Sequence, residues 1–230
     1  MSQLTHVWGI VLGWVGSEGL SMTEYHKIQT IFKRDMDHPQ KPLIIGAWST
    51  PEFQYLAASQ WHFTEKIDGT NVRVIWDGEF IAYRGRTDRA VLPIELLRHL
   101  DSTFDPLEGD FLNEFGAKQV VLYGEGYGGK IQAGQKYCKE PGFILFDVKV
   151  GHWWLTRESV RDIGNRLGLP VVPWRGTGTL WEAVDAAREG IPSVFGDFQA
   201  EGYVARPVVE LLDRSGQRII AKIKCRDFHS

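Results

Sequence analysis

The order of polar and apolar positions divides the chain into an N-terminal helix, an irregular connector and a strand-rich body. Residues 24 to 34 show helical patterning, and prolines interrupt residues 35 to 60. From residue 61 onwards, short runs either alternate between polar and apolar residues or are β-branched, as half-buried strands are. Strands are predicted at residues 61–67, 71–76, 80–83, 119–124, 143–149, 169–174, 201–206, 208–213 and 217–224.

Further helices are predicted between these strands, at residues 93–100, 157–167 and 180–189. Pro93 suits the first turn of a helix. The last helix has the clearest limits, because Thr179-x-x-Glu182 is a capping box and Gly190 is a C-terminal stop signal. Since strands and helices do not alternate as βαβ units, the predicted fold class is α+β, with largely antiparallel sheets.

Asp77-Gly78 is a strong signal for a β-hairpin. A two-residue turn at these positions pairs Arg84 with Asn71 and Arg86 with Gly69. This register folds two cations back onto the loop that follows residue 66.

A second hairpin is predicted at Ser215-Gly216. Its register places Lys222 opposite Val209 and Lys224 opposite Pro207. Because side chains alternate along a strand, an acid and several cations should share one sheet face. The residues predicted to share this face are Glu201, Tyr203, Lys222, Lys224 and Arg226.

Length and composition indicate a globular protein with one main domain, predicted at residues 22 to 230. A chain of 230 residues has room for one substantial core. The net charge of −3 excludes a general basic coat, so nucleic acid would have to bind a local patch. Cys138 and Cys225 lack disulfide or metal-site spacing, which suits a reducing, cytoplasmic compartment. No apolar run predicts a membrane span.

An apolar stretch, residues 7 to 16, lies near the N-terminus. No Lys or Arg precedes it and no small-x-small cleavage site follows it, so a secretion signal is not expected. Residues 1 to 21 are therefore predicted to be an extension. Met22 is an alternative start of translation to Met1, because helical patterning begins soon after it.

The motif Lys66-Ile67-Asp68-Gly69-Thr70-Asn71 sets a lysine just ahead of a tight polar turn. An ammonium group in water cannot attack phosphorus. A lysine in a partly closed pocket beside other cations loses its proton more easily and can become a covalent nucleophile. Taken alone, such a motif is more often an ordinary surface turn between two strands.

Further motifs follow the lysine in a fixed order. The set is Lys66-x-Asp68-Gly69-Thr70-Asn71, Arg86, Leu122-Tyr123-Gly124-Glu125, Phe146-Asp147, Glu201-Gly202-Tyr203-Val204 and Lys222-x-Lys224. It resembles the ATP-dependent RNA ligases of the RNA ligase 2-like branch, within the covalent nucleotidyltransferase superfamily. The resemblance implies an ATP-grasp-like nucleotidyltransferase domain of antiparallel sheets flanked by helices. Because the sequence stops soon after Arg226, no C-terminal oligonucleotide-binding domain is expected.

By this resemblance the protein is an enzyme that joins 5′-phosphate and 3′-OH ends of RNA. Lys66 attacks the α-phosphorus of ATP and forms a lysine-AMP intermediate, the AMP moves to the 5′-phosphate end, and the 3′-OH expels it. Lys222 and Lys224 would neutralise the charge on the α-phosphate oxygens. The final pair stays open, since Lys224-x-Arg226 also resembles the last family motif.

The resemblance also implies contacts for the remaining polar residues. Glu125 would hold the ribose, and Glu201 with Asp68 and Glu125 would hold hydrated Mg²⁺ or Mn²⁺. The other implied contacts are Phe146 stacked on adenine, Glu65 with the adenine amino group, Asn71 with the nucleotide, Arg86 with the nucleotide or the 5′-phosphate end, and Arg84 and Arg226 with the substrate end. Nicked or tRNA-like RNA ends, and a partner protein that helps to dock them, are the expected partners.

Other functions share parts of this pattern. Gly124-x-x-x-x-Gly129-Lys130 is close to a nucleotide-hydrolase P-loop, but Ile131 stands where a Ser or Thr is needed. A DNA ligase or a capping guanylyltransferase would use the same lysine chemistry. A noncatalytic nucleic-acid-binding domain is the remaining alternative, and the complete set of reactive residues argues against it.

Overall fold

The computed structural model describes residues 24 to 229. The interpretations of residues 1 to 21, of the apolar stretch at residues 7 to 16 and of a start at Met22 lie outside these residues. The strands are β1 Gln29–Thr30, β2 Phe32–Arg34, β3 Leu43–Trp48, β4 Trp61–Lys66, β5 Thr70–Trp76, β6 Ile81–Gly85, β7 Val120–Tyr127, β8 Gly142–Val150, β9 Trp153–Trp154, β10 Trp174–Gly178, β11 Gly202–Pro207 and β12 Ala221–Lys224. The α-helices are α1 Pro51–Tyr55, α2 Ile94–Phe104, α3 Glu108–Phe115, α4 Arg157–Arg166 and α5 Leu180–Glu189.

Two five-stranded sheets form the body of the fold, with strand orders β1-β12-β11-β4-β10 and β6-β5-β7-β8-β9. The strands β2 and β3 make a separate two-stranded sheet. Neighbouring strands are antiparallel, except that β1 runs parallel to β12. The predicted α+β class with largely antiparallel sheets is therefore confirmed. Within residues 24 to 229, no helix is long and apolar enough to cross a membrane.

Helices cover one face of each large sheet, because each helix carries an apolar stripe. Leu96 and Leu100 of α2 are fully buried in one core with Val72 of β5. Val184 of α5 is buried in a second core with Ala205 of β11. The two faces that these helices leave free supply the walls of the cavity described below.

The predicted helices at residues 93–100, 157–167 and 180–189 are confirmed as α2, α4 and α5. Thr179 Oγ1 accepts a hydrogen bond from Glu182 N at 3.2 Å, and Glu182 Oε2 accepts one from Thr179 N at 2.7 Å. This is the predicted capping box. The helices α1 and α3 and the strand β3 were not predicted.

The predicted helix over residues 24 to 34 is wrong, because these residues are extended and form β1 and β2. Ile31 N donates to Lys222 O at 3.2 Å, and Ser49 N donates to Ile31 O at 3.0 Å. Ile31 and Phe32 are both fully buried although they are adjacent. Pairing with distant strands therefore outweighs the weak local helical pattern.

The first hairpin turns one residue later than predicted. Asp77 N donates to Phe80 O at 3.3 Å, so the two central residues are Gly78 and Glu79. Gly78 has φ +110°, a conformation that favours glycine at the first central position. Asp77 Oδ1 fixes the turn further by accepting hydrogen bonds from the backbone N–H groups of Glu79 and Phe80.

This turn moves the register of β5 and β6 by two residues. Arg84 lies opposite Arg73, so the predicted pairing of Arg84 with Asn71 is wrong. The pairing of Arg86 with Gly69 is wrong for the same reason, because the observed register carries Arg86 toward Asn71. A shift of two residues keeps every side chain on its face. Arg86 therefore still lies beside the lysine loop.

The second hairpin differs more. Strand β12 pairs directly with β11, which puts Lys222 opposite Val204 and Lys224 opposite Gly202. The predicted partners of these lysines, Val209 and Pro207, are therefore wrong. Residues 208 to 213 are not a strand and hold only the isolated bridge between Leu212 and Arg218. The loop between the two strands is longer than a two-residue turn, and no local sequence signal gave its length.

An odd shift in register moves side chains to the opposite face of a sheet. Tyr203 lies opposite Ile223, in the core that α5 covers, so its predicted position on the lysine face is wrong. Arg226 is also off that face, because β12 ends at Lys224 and Arg226 lies in the 3₁₀ turn Cys225–Asp227.

The strand predicted at residues 169–174 is wrong over most of its length, since β10 begins only at Trp174. Val171 makes an isolated parallel bridge with Leu145. Pro170 and Pro173 have no N–H to donate to a ladder, so the segment cannot pair continuously.

One buried carboxylate links the two large sheets. Asp147 Oδ2, in β8, accepts hydrogen bonds from Arg206 Nη2 of β11 at 2.8 Å, from Arg218 Nη2 at 2.5 Å and from Tyr25 Oη at 2.9 Å. Burial opposes ionisation of this carboxyl, but the two arginines hold its pKa below its usual range. We call the group Tyr25, Asp147, Arg206 and Arg218 the Asp147 clasp.

Substitution Asp147→Ala should lower the free energy of unfolding by ~3–5 kcal/mol, because it leaves Arg206 and Arg218 buried without a counter-charge. Chemical denaturation measures the change. Asp185→Ala, which removes an exposed partner of Arg188, is the matched control and should cost less than ~0.5 kcal/mol. Equally small losses in both variants would mean that the clasp does not hold the sheets together.

Candidate active site

A cavity of about 210 Å³ lies between the free faces of the two large sheets. The strands β4, β11 and β12 form one wall, and β5, β7 and β8 contribute to the opposite wall. It is lined by Tyr25, His26, Lys27, Ile28, Thr64, Glu65, Lys66, Ile67, Asn71, Arg86, Glu125, Phe146, Arg157, Val172, Val204, Arg206 and Lys222. The cavity therefore contains residues from each motif of the family resemblance, but Asp68, Glu201 and Lys224 are not among the lining residues.

Two lysines share one carboxylate at the end of this cavity. Lys66 Nζ lies 2.7 Å from Glu201 Oε2, and Lys224 Nζ lies 2.5 Å from Glu201 Oε1. Burial opposes ionisation of Glu201, but the charge of Lys66 and the hydrogen bonds from both lysines lower its pKa. Glu201 is therefore an anion held between two ammonium groups.

The backbone explains why these three side chains meet. Gly202 lies opposite Lys66 on one side and opposite Lys224 on the other. A Cβ at Gly202 would overlap the carbonyl oxygen of Ile223, so only glycine lets the strands approach this closely. Glu201, one residue earlier, then reaches both lysines from the strand end.

Lys222 supplies a further cation to the same wall. It lies opposite Val204, which in turn lies opposite Thr64, and all three line the cavity. Burial, with the charges of Lys224 and Lys66, lowers the pKa of Lys222. Within residues 24 to 229, Lys222 has no ion pair or side-chain hydrogen bond, so its charge is available to a ligand.

The turn after Lys66 packs against β7. Asp68 N donates to Tyr137 Oη at 3.1 Å. A Cβ at Gly69 would overlap the carbonyl oxygen of Gly126 and crowd the side chain of Glu125, which explains the glycine in the motif. The Gly69 N–H also donates to the Glu125 carboxylate.

Glu125 is the acid with the most unusual environment in the cavity. Its pKa is raised to about 7, mainly by burial and also by the nearby charges of Glu201 and Asp68, against the opposing charge of Lys66. The carboxyl therefore holds its proton over part of the neutral range and would lose it beside a bound cation.

Asp68, Glu125 and Glu201 were predicted to hold a metal ion. Across residues 24 to 229, no group of three or more His, Cys, Asp or Glu side chains is arranged to chelate a metal. Glu201 is held by Lys66 and Lys224 in this structure, and the assignment of Asp68, Glu125 and Glu201 to a hydrated metal ion stays a prediction. The carboxylates remain close enough for each to influence the pKa of Glu125.

Phe146 lines the cavity beside two unsatisfied polar atoms. Its ring packs edge-on against Tyr25, with centroids 5.1 Å apart. Asn71 Oδ1 and His26 Nε2 are buried and have no hydrogen-bond partner within the described residues. Buried polar atoms are usually paired, so these two atoms are available to a polar ligand in the cavity.

Glu65 already uses both of its carboxylate oxygens. Ser193 Oγ donates to Oε1 at 2.6 Å, and Arg175 Nη1 and Val194 N both donate to Oε2 at 3.1 Å. Glu65 lies opposite Tyr203 and is almost fully buried. The expected contact of Glu65 with an adenine amino group stays a prediction.

The predicted arginines separate into two groups. Arg86 is exposed at the cavity rim and lines it. Arg84 is exposed, donates to the neighbouring Tyr83 O at 2.8 Å and does not line the cavity. Arg226 is likewise exposed and is not among the lining residues. The structure therefore brings Lys222 rather than Arg226 toward Lys66.

The sequence motifs missed one end of the cavity, which Tyr25, His26, Arg157 and Arg206 form. Tyr25 and His26 fell in the segment predicted as a helix. Arg206 follows the Glu201 motif along β11, and alternation from Val204 could have placed it on the cavity face. No sequence signal pointed to Arg157.

The near-P-loop string also has a different structure from a phosphate-binding loop. Gly128 and Gly129 follow β7, and the next helical turn is the short 3₁₀ segment Gly134–Lys136 rather than an α-helix. Lys130 is exposed and is not among the residues that line the cavity.

Comparison with known proteins supports these observations. The sequence model of the RNA ligase family matches residues 59–224. A Naegleria gruberi RNA ligase mutant with ATP and Mn has a TM-score of 0.59 and 20% identity over 76% of this chain and 51% of that chain. A mutant of the same enzyme in the apo state has a TM-score of 0.60 and 20% identity, over 77% of this chain and 53% of that chain. A further mutant with AMP and Mn has a TM-score of 0.58 and 21% identity, over 76% of this chain and 52% of that chain.

These identities support the same fold. The chain spans about half the length of these solved structures. No curated protein matches the sequence.

The pKa of Glu125 predicts a pH dependence of stability. Because the folded state raises this pKa from 4.5 to about 7, its stabilising contribution is full below pH 4.5 and is lost as the pH rises through about 7. From pH ~5 to ~8 the nucleotide-free protein should lose up to ~3 kcal/mol from this group. Glu125→Gln should lose less over the same range.

Chemical denaturation at several pH values measures this difference. Glu95→Gln, at an exposed carboxylate in α2, is the control and should follow the wild-type curve. Parallel curves for the wild type and Glu125→Gln would show that Glu125 titrates as an ordinary carboxyl group.

Proposed function

The chain belongs to the RNA ligase family, and on that premise we propose that it is an ATP-dependent RNA ligase. It would join a 5′-phosphate end to a 3′-OH end through a lysine-AMP intermediate and an adenylylated RNA end. The observation that carries the proposal is the single carboxylate, Glu201, held between Lys66 and Lys224 at the end of a cavity.

Lys66 is the proposed nucleophile. Attack requires the neutral amine, so a proton must leave Nζ, and Glu201 Oε2 is within hydrogen-bonding distance to accept it. The bond from Nζ to the α-phosphorus forms as the bond from phosphorus to the pyrophosphate oxygen breaks. Because Lys66 ends β4 beside Gly202, the amine is held on a rigid strand rather than on a loop.

Lys222 and Lys224 would neutralise the charge that accumulates on the α-phosphate oxygens. They stand two residues apart on β12 and so share a face. Lys224 is already oriented by Glu201, whereas Lys222 has no carboxylate partner within the described residues. A ligand phosphate would therefore give Lys222 its counter-charge.

Mg²⁺ or Mn²⁺ is the proposed metal, in line with the Naegleria gruberi enzyme whose structures contain Mn. Glu125, Glu201 and Asp68 would hold it, and the proton held by Glu125 at neutral pH would be displaced on binding. When bound, the metal supplies positive charge to the phosphate oxygens. Hard cations of this kind keep several waters, which suits carboxylates that do not form a closed cage.

The nucleoside would lie over Phe146, with Asn71 Oδ1 as an acceptor for one of its hydroxyl or amino groups. Glu125 and Glu65 are the further proposed contacts, to the ribose and to the adenine amino group. Stacking on Phe146 tolerates any base, so selection of ATP would rest on these polar contacts.

The RNA end would enter past Arg86, which is exposed at the rim of the cavity. An arginine can bind a terminal phosphate through two parallel hydrogen bonds. Sealing of broken RNA in a reducing, cytoplasmic compartment is the proposed role, and the two free cysteines suit it. A partner protein that presents the ends is part of this proposal.

Incubation with ATP and Mg²⁺ should leave a covalent AMP on Lys66, and Lys66→Ala should abolish it. The substitution should leave the fold intact, because the lysine adds little to core packing. Mass spectrometry under denaturing conditions measures the adduct. Lys130→Ala, in the near-P-loop string, is the control and should label normally. Label that persists in Lys66→Ala would exclude this lysine as the nucleophile.

Arg86→Ala should impair sealing of a pre-adenylylated RNA end more than it impairs lysine-AMP formation, because Arg86 lies at the rim rather than beside Glu201. A loss of ~10²-fold in sealing is expected for a phosphate-binding arginine. Separate assays of the two half-reactions measure the difference. Arg98→Ala, at an exposed arginine of α2 that does not line the cavity, should retain both activities. Equal losses in both half-reactions would assign Arg86 to the nucleotide alone.

A further inference from the structure

Arg157 is a cation that the proposed chemistry leaves unused. It is the first residue of α4, is partly buried and lines the candidate active site. Within the described chain it makes no hydrogen bond or ion pair. Burial and the charge of Arg206 lower its pKa to about 10, so it remains protonated at neutral pH. Glu158 and Asp147 act on this charge without forming an ion pair with it. A partly buried arginine without a directly paired carboxylate is costly, and a bound anion would lower that cost.

The position of Arg157 in its helix adds to this cost. The N-terminal turn of α4 carries the positive end of the helix dipole, which disfavours a cation there. Thr156 caps the helix by accepting a hydrogen bond from Ser159 N, so Arg157 is not needed to end it. The same positive end would attract a bound anion.

A second, adjoining cavity shows where such an anion would lie. It has a volume of about 180 Å³ and shares Arg157 and Arg206 with the candidate active site. The other charged residues that line it have partners in the described structure. Arg206 is paired with Asp147 and Glu210 with Arg218 Nε at 3.5 Å, while Glu158 is hydrogen-bonded to Thr156 and feels the charge of Arg157 without an ion pair.

His62 in the second cavity is also satisfied, since its Nδ1 lies 3.1 Å from Thr177 Oγ1. Arg157 is therefore the charged group in this part of the described fold that still lacks a partner. Its guanidinium fork matches the geometry of a phosphate.

The distance from Lys66 separates this site from the reacting phosphate. Gly202 lies opposite Lys66, and Arg206 lies four residues further along β11. Four residues of a strand span roughly 13 Å. A phosphate at Arg157 would thus be different from the one that Lys66 attacks.

We propose that Arg157 binds a backbone phosphate of the RNA substrate, which leaves the active site through the second cavity. This proposal rests on the RNA ligase function proposed above. RNA and a free nucleotide both carry phosphate groups that an arginine binds. RNA is favoured because the site lies away from Lys66, Lys222 and Lys224, where the nucleotide phosphates would be held.

The test compares Arg157→Ala with Arg161→Ala, an exposed arginine one turn further along α4 that does not line either cavity. Binding of a 5′-phosphorylated RNA is measured by fluorescence anisotropy from ~50 to ~200 mM salt. Arg157→Ala should weaken binding by ~10-fold and reduce the slope of log Kd against log salt by ~0.7–0.9. Arg157→Lys should restore the slope, and Arg161→Ala should bind like the wild type.

Measuring lysine-AMP formation in the same variants shows whether the phosphate at Arg157 belongs to RNA or to the nucleotide. Arg157→Ala should keep the wild-type KM for ATP within about twofold. A raised KM with unchanged RNA binding would overturn the assignment to RNA. RNA binding by Arg157→Ala equal to that of Arg161→Ala would overturn the proposed site while the ligase function stands. A wild-type protein that forms the adduct but binds no RNA would overturn both proposals.

Discussion

The arrangement of the fold depends on the buried carboxylate of Asp147, because charges from both large sheets meet there. Strand β8 supplies the acid, β11 supplies Arg206, and the loop before β12 supplies Arg218. A buried carboxylate and buried arginines are stable only when they are paired with each other. The two sheets are therefore held at the separation that allows Asp147, Arg206 and Arg218 to pair. Phe146, which precedes Asp147, is the extra residue at the register shift between β7 and β8, and it lines the cavity.

A related constraint operates at the other end of the cavity, where Glu201 is shared by Lys66 and Lys224. One carboxylate balances two ammonium groups only in part, and Lys222 on the same face has no acid of its own in the described structure. The local net charge is therefore positive at the end of β4, where Lys66 lies. A cavity with this charge favours a polyanionic ligand over a neutral one, although the whole chain carries a net charge of −3.

The sequence predicted the parts of the fold that local patterns determine. The capping box of α5 and the strand that carries Lys66 were correct, because caps and alternation act over a few residues. The registers of both hairpins were wrong, since they depend on how a loop closes. A shift of two residues left Arg86 on its face, whereas an odd shift moved Tyr203 to the other face. The Asp147 clasp was not predictable, because Tyr25 and Asp147 are 122 residues apart.

The cations of this protein fall into two classes with different meanings for an experiment. Arg206, Arg218 and Lys224 are paired with buried acids, so replacing one of them removes one of the two cations that balance that acid and changes stability together with any activity. Lys222, Arg86 and Arg157 lack such partners among residues 24 to 229. Replacing one of them therefore removes a positive charge without taking a partner away from a buried acid. Losses of activity at the unpaired cations therefore report on ligand binding, whereas losses at the paired cations must first be corrected for the fraction of protein that remains folded.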